Sequence, residues 1–218
     1  MRRAPHPLAA LLVATTLAMG TPVFAAPAQL AQFGDEAASS NARRVADWVI
    51  ASGDNGGLPF VIIDKVQARV FVFRADGRLS GASAILLGLA KGDGSVPGIG
   101  QRSLASIGPA ERTTPAGRFV AALGPDLGPQ EVVWIDYDAG VSMHRVVTAN
   151  RAERRLQRLA TASPLDNRIS YGCINVPAAF FDKVVGPAFA GTYGVVYILP
   201  EVRSLQEVFG LGAPSSGR

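Results

Sequence analysis

The spacing of hydrophobic positions changes several times along the chain, and each change marks an element. Beyond Asn41, which the pattern places as an N-cap, Val45, Trp48 and Val49 fall on one face at helical spacing, and the glycine-rich stretch 53–57 ends the run. From Phe60 the pattern turns to strands. Phe60–Asp64 and Arg69–Phe73 are β-branched and aromatic runs around Lys65-Val66-Gln67, as in a hairpin, and Asp76-Gly77 turns the chain into a third run ending near Leu87. Residues 90–112 carry many Gly, Ser and Pro with little apolar periodicity, which predicts a long surface loop. Strand pattern resumes at 118–123, 131–137 and 141–146, helical pattern at 151–160 and 177–185, and a final apolar strand is predicted at 193–199. The order of elements predicts a mostly β domain with a few covering helices, and an antiparallel meander is the simplest topology.

The first residues change the picture of where the protein works. Arg2 and Arg3 precede an apolar run from Leu8 to Met19 and then Val23-Phe24-Ala25, a small-residue cleavage signature, which predicts an export signal over 1–25. The run is shorter than the roughly 20 apolar residues of a membrane span, so no membrane span is expected. Residues 26–57 read as an Ala- and Gln-rich flexible leader followed by the first helix, 58–200 as the folded domain and 201–218 as a tail. Removing 1–25 leaves 193 residues, enough for one domain with a sizeable core. It also removes two arginines, so the formal net charge of +4 falls to about +2 and no nucleic-acid partner is expected. The glycines at 92, 94, 98 and 100 lack the lysine-threonine ending and helix context of a phosphate-binding loop.

Chemistry-bearing residues are scarce. The chain has one cysteine, Cys173, and two histidines, of which His6 lies in the export signal, leaving His144 as the single imidazole of the exported form. Exported proteins usually carry cysteines in disulfide pairs, so a lone thiol is either inert and buried or reactive. A reactive thiol works as thiolate and needs a base or a positive field beside it, which makes Cys173 and His144 the default nucleophile and base. Gly172 gives the backbone freedom to turn before Cys173, and Pro177 predicts a helix start soon after, so the thiol is expected near a helix N-terminus with the amides of Gly172 and Cys173 as oxyanion donors. One Cys and one His make a poor zinc set, so no metal is expected. Asn175 reads either as a local cap or as a substrate contact, and Tyr171 either as a substrate-side group or as a packing aromatic. Thr114, Pro115 and Gly117 read as a rigid turn and strand start. Arg151, Arg154, Arg155 and Arg158 recur at helical spacing, either as a solvated face or as a lid that attracts substrate carboxylates.

Taken together these pieces resemble the YkuD-type L,D-transpeptidase catalytic domain of bacterial cell-wall enzymes. Ser170, Gly172, Cys173, Ile174 and Asn175 fit its Ser-His-Gly-Cys-(Ile/Val)-(Arg/Asn) signature, Thr114-Pro115-Ala116-Gly117-Arg118-Phe119 fits its Thr-Pro-x-Gly-x-Phe element, and the hairpin from Val61 to Phe73 is similar to its opening strands. The resemblance covers roughly residues 58–200. It implies a β-sandwich of the L,D-transpeptidase type, located in the periplasm or cell envelope. It further implies acyl transfer on peptidoglycan stem peptides through a Cys173 thioester, with His144 as general base and Gly172 as an oxyanion amide. Ser170, Tyr171, Asn175 and Arg145 would lie on the substrate side, no cofactor is needed, and an envelope protein is an alternative acceptor.

Two positions depart from the family pattern. Arg145 stands where Gly commonly follows the histidine, and Tyr171 where the signature has His; the His-to-Cys interval is also long, with the extra length in 151–164. Two alternatives therefore stay open: a thiol carboxypeptidase or peptidase cutting the same type of bond, and a noncatalytic envelope binding module whose site Arg145 and Tyr171 have broken.

Overall fold

A computed structural model describes residues 30–126 and 128–212. The export signal over 1–25 and the Ser/Gly end at 213–218 lie outside the described residues. The strands are β1 Phe60–Asp64, β2 Arg69–Phe73, β3 Leu79–Ala84, β4 Leu87–Gly88, β5 Gly117–Pro125, β6 Glu131–Asp136, β7 Val141–Arg145, β8 Arg168–Ser170, β9 Ile174–Val176 and β10 Tyr193–Ile198. Eight of them form one sheet in the order β3-β2-β1-β10-β5-β6-β7-β9, and β4 pairs with β8 apart from it. The fold is thus mostly β with a few covering helices. The simple meander, however, gives way to a mixed sheet. It survives only as β3-β2-β1 and β5-β6-β7, because β10 enters between them, parallel to β1 and antiparallel to β5, while β9 joins β7 in parallel. The physical reason lies in the sequence of β10: Gly194-Val195-Val196-Tyr197-Ile198 is buried on both faces, which a central strand requires and an edge strand does not.

Helices α1 Ser40–Ser52, α2 Arg155–Ala160, α3 Ala178–Phe180, α4 Gly186–Phe189 and α5 Leu205–Phe209 complete the domain, with a π-helical turn at Phe181–Val185 joining α3 to α4. The two sides of the sheet carry two cores. On one, Val61, Val72, Val133, Met143, Ile174 and Val196 pack against Phe181, Val185 and Phe189 of the α3–α4 segment. On the other, Phe60, Ile62, Phe71, Phe73, Val195 and Tyr197 pack against Ala42, Val45, Ala46 and Val49 of α1. This second cover lies over the β3-β2-β1-β10 half. Beyond it, Val120, Ala122, Trp134, Ser142, His144 and Asn175, which alternate with core residues, belong to neither core.

Several local expectations change. The N-cap of α1 is Ser39, not Asn41: its Oγ accepts the Ala42 N–H at 3.1 Å and donates to Asp64 Oδ2 at 2.5 Å, a bond to β1 that Asn41 is not placed to make. Within the described residues the leader is held to the domain, because Phe33 buries itself edge-on against Phe71 and Phe73. Loop 90–112 is stiffened by short 3₁₀ turns at Ile99–Gln101, Leu104–Ser106 and Pro109–Glu111.

A buried charge cluster anchors the base of that loop. Lys65, its side chain 0 % exposed, donates to Asp93 Oδ1 at 2.7 Å and to the carbonyls of Gly92 and Thr114 at 2.5 and 2.9 Å. Glu201 lies 3.7 Å from the same ammonium and pairs with Arg168. Two cations against two carboxylates, each with further hydrogen bonds, is the condition under which buried charge is tolerated. Burial alone would raise the Asp93 pKa, but the N–H groups of Arg203, Glu201 and Val202 and the Lys65 ammonium outweigh it and hold the carboxyl at about 2.

Candidate active site

His144 and Cys173 come from neighbouring strands. β7 and β9 run parallel with Met143 opposite Ile174 and His144 opposite Asn175, so Cys173, just before β9, lies beside the β7 residues that precede and include His144. Both belong to the half of the sheet that α1 leaves uncovered. The thiol is partly exposed; Ser142 Oγ lies 3.7 Å from Sγ and the Gly140 carbonyl 3.5 Å. His144 Nδ1 lies 2.7 Å from the Arg145 carbonyl. A carbonyl can only accept, so Nδ1 carries the proton and Nε2 is the basic nitrogen.

Burial on its own would push the Cys173 pKa up, yet the hydrogen bond and charge of His144, with the backbone N–H and hydroxyl of Ser142, bring it below the ordinary thiol value. Burial would likewise lower His144, but the hydrogen bond and charge of Cys173, the Arg145 carbonyl and the Asp126 carboxylate raise it above the ordinary histidine value. The two shifts run in opposite directions because each group favours the charged form of the other.

The expected helix N-terminus is absent from this picture. Three residues of strand β9 separate Cys173 from Pro177, the N-cap of α3, so at about 3.3 Å per residue the helix begins roughly 13 Å away. Thiolate stabilisation falls to His144 and Ser142 instead, and Ser142 is a site residue that sequence reading missed. Its signal was present: in a strand the residue two before His144 points to the same face.

The turn before Cys173 is held by side chains predicted for other roles. Ser170 Oγ donates to the Cys173 carbonyl at 2.6 Å and accepts the Gly172 N–H at 3.1 Å, so Ser170 braces the turn. The Gly172 amide, expected as an oxyanion donor, is thereby directed into the turn. Glycine is required here: φ is 139°, and a Cβ would stand 2.8 Å from the Thr113 carbonyl oxygen. Thr114 is fully buried, accepts the Gly88 N–H at 2.9 Å and donates to the Gly172 carbonyl at 2.8 Å, tying the Thr-Pro element to the cysteine turn.

Asn175 is neither a helix cap nor exposed. It sits in β9, fully buried, with Nδ2 3.3 Å from the Cys173 carbonyl and Oδ1 accepting from Arg155 at 2.6 Å. Arg145, the strand neighbour of His144, points to the opposite face, where it pairs with Asp182 at 2.7 Å and lies 4.2 Å above the Phe181 ring, bridging β7 to the covering α3–α4 segment. Tyr171 stacks under the Arg112 guanidinium at 4.0 Å, the packing reading of that residue.

The predicted helix 151–160 is broken. A 3₁₀ turn at Arg151–Glu153 leads to Arg154 in the left-handed region at φ 50°, and α2 begins only at Arg155. The break divides the arginine stripe. Arg155 turns inward to Glu153 and Asn175, and Arg158 donates to the carbonyls of Glu153 and Asp166, whereas Arg151 and Arg154 are exposed.

The site is thus a cysteine–histidine pair on the open half of a mixed sheet. No family model and no curated protein matches the chain. The chain is similar to solved structures of L,D-transpeptidases. These include the Ldtfm–avibactam carbamoyl enzyme, at 18 % identity and TM-score 0.40 over 66 % of this chain and 49 % of that one. The catalytic domain of the Enterococcus faecium L,D-transpeptidase gives 18 % and 0.40 over 65 % and 96 %. A Xylanimonas cellulosilytica L,D-transpeptidase gives 15 % and 0.38 over 65 % and 60 %. The matched region spans about half the length of the first of these.

Proposed function

We propose that this protein is an exported L,D-transpeptidase of the YkuD type, acting on peptidoglycan stem peptides in the periplasm or cell envelope. The observation that carries the reading is the Cys173–His144 pair, with the thiol pKa lowered and the imidazole pKa raised by each other across adjacent parallel strands. The motif resemblance around Thr114 and Cys173 supports the substrate class.

In this reading His144 Nε2 takes the Cys173 proton, and the thiolate attacks the amide carbonyl at the L-centre of the third stem residue. With the Gly172 N–H engaged by Ser170, the Cys173 N–H is the oxyanion donor of the turn. Collapse of the tetrahedral intermediate passes the proton from His144 to the departing amine of D-alanine and leaves a thioester. An acceptor amine attacks the thioester, gives its proton to His144 and expels the thiolate; water in its place gives carboxypeptidase activity from the same residues. The two departures from the family pattern leave the pair in contact, since Arg145 is drawn to Asp182 and Tyr171 to Arg112.

The test is mass spectrometry of tetrapeptide muropeptides incubated with residues 26–218, beside Cys173→Ala. Cysteine-dependent loss of D-alanine is expected, with cross-linked dimers marking transfer and free tripeptide marking hydrolysis. No difference from the Cys173→Ala protein would sink the proposal.

A further inference from the structure

The chain between His144 and Cys173 carries two kinds of arginine, and their division defines a second feature of the site. Arg155, its side chain only 11 % exposed, and Arg158 fasten the segment from within. Arg155 bonds Glu153 at 2.5 Å and Asn175 at 2.6 Å, and Arg158 bonds two backbone carbonyls. Glu153 is consumed by this fastening. What remains on the outside is a concavity of about 290 Å³ lined by Thr148, Asn150, Arg151, Arg154 and Gln157, with Arg155 at its inner wall and no carboxylate in its lining. Arg154 is held at φ 50°, a conformation that a non-glycine residue adopts at a cost, and this kink is what parts Arg154 from the inward-facing Arg155.

This concavity adjoins the cysteine–histidine pair by two routes. Through Arg155 it touches Asn175, which is the register partner of His144 and a donor to the Cys173 carbonyl. Along the chain Thr148 follows His144 by four residues, so their Cα atoms are at most about 14 Å apart. An extended peptide of about four residues spans that distance.

We infer that the 148–157 segment is a carboxylate subsite of the acyl-transfer site, in which Arg151 and Arg154 take a carboxylate of the acyl-donor peptide while Asn150, Gln157 and Thr148 supply neutral hydrogen-bonding groups. The inference rests on the function proposed above for its substrate class. Planar guanidinium forks match carboxylate geometry, and the lining of this concavity presents no acid of its own to occupy them. Arg155 and Arg158 hold the frame and are not ligands.

The experiment is a binding measurement that needs no turnover. Cys173→Ala protein of residues 26–218 is titrated, at low and at physiological salt, with a stem tetrapeptide whose carboxylates are free and with the same peptide fully amidated. The free acid is expected to bind more tightly, and the R151Q/R154Q double variant to lose about five- to tenfold at low salt, with a smaller loss at physiological salt, while its affinity for the amidated peptide is unchanged. Both positions are exposed, so the double variant keeps the fold, which its thermal midpoint checks. Equal affinity for acid and amide in the parent, or an unchanged preference in the double variant, overturns the subsite. The acyl-transfer reading fails by a different readout, the absence of cysteine-dependent D-alanine release, so the two failures are distinguishable.

Discussion

Replacing Thr114 by Val isolates the link between the Thr-Pro element and the cysteine turn. The two side chains share shape and branching, so packing is kept and only the hydroxyl is lost. That hydroxyl is fully buried, accepts the Gly88 N–H at 2.9 Å and donates to the Gly172 carbonyl at 2.8 Å. Valine leaves both backbone groups without this partner in a site closed to water. At about 1–3 kcal/mol for each buried group left unsatisfied, offset by about 0.8 kcal/mol for the added methyl, the net loss is about 3 kcal/mol. For a domain of this size that lowers the thermal midpoint by roughly 6–12 °C. Urea unfolding of residues 26–218 should show the midpoint falling with the slope unchanged, and Thr114→Ser should recover most of the loss. Because the freed carbonyl belongs to the residue before Cys173, the valine variant should also need a higher pH for alkylation of the thiol, and the serine variant should not. A destabilisation below about 1 kcal/mol, or equal losses in Val and Ser, would refute the bridge.

Two further predictions concern charge. The lowered Cys173 pKa means that thiolate persists as pH falls below the ordinary thiol value, and the raised His144 pKa means that imidazolium persists as pH rises above the ordinary histidine value. Iodoacetamide should therefore alkylate the native thiol below the usual midpoint of about 8.5, and His144→Ala should move the midpoint up to or beyond it; coincident profiles would dissolve the pair. Asp93, held at about 2 against an ordinary 3.8, contributes stability that is present above pH 3.8 and is lost as pH falls through about 2. The shift corresponds to about 2 kcal/mol, so Asp93→Asn should lose that much at pH 7, and its deficit should shrink steadily when urea unfolding is repeated between pH 4 and 2.

The parts of the fold written in local pattern were legible. The β1–β2 hairpin follows from two apolar runs flanking Lys65-Val66-Gln67, and α1 follows from its one apolar face, although its cap was misplaced because the bond from Ser39 to Asp64 spans 25 residues. What local pattern cannot carry is pairing. Nothing near Tyr193 announces that β10 will sit between β1 and β5, although its continuous apolar run demanded a central place. The Lys65 cluster draws on Asp93, Arg168 and Glu201, residues so far apart that no spacing rule connects them. In the site, scarcity singled out Cys173 and His144. The hydrogen bonds of Ser170 and Gly172 and the pairing of Arg145 with Asp182 were not legible, because turn bracing and cross-element partners are tertiary facts. The arginine stripe misled for a related reason: helical spacing has meaning only within one helix, and the kink at Arg154 ends that.

The parallel pairing of β7 with β9 has a consequence for how such a site can vary. Parallel neighbours cannot be joined by a tight turn, so the chain must leave the sheet after Arg145 and return before Ile174. The crossover is free to differ in length and charge, because the pairing of Met143 with Ile174 and of His144 with Asn175 fixes the positions of His144 and Cys173 independently of it. Here the crossover carries Arg151, Arg154, Arg155 and Arg158, and one of these returns to the sheet at Asn175, the position facing His144. Asn175 is thus the point at which the variable segment and the fixed pair meet. An Asn175→Ala protein would keep the strand register, which depends on backbone bonds, while releasing Arg155 and with it the frame of the outer arginines. Chemistry would be governed by the sheet and peptide selection by the crossover, joined through one buried amide.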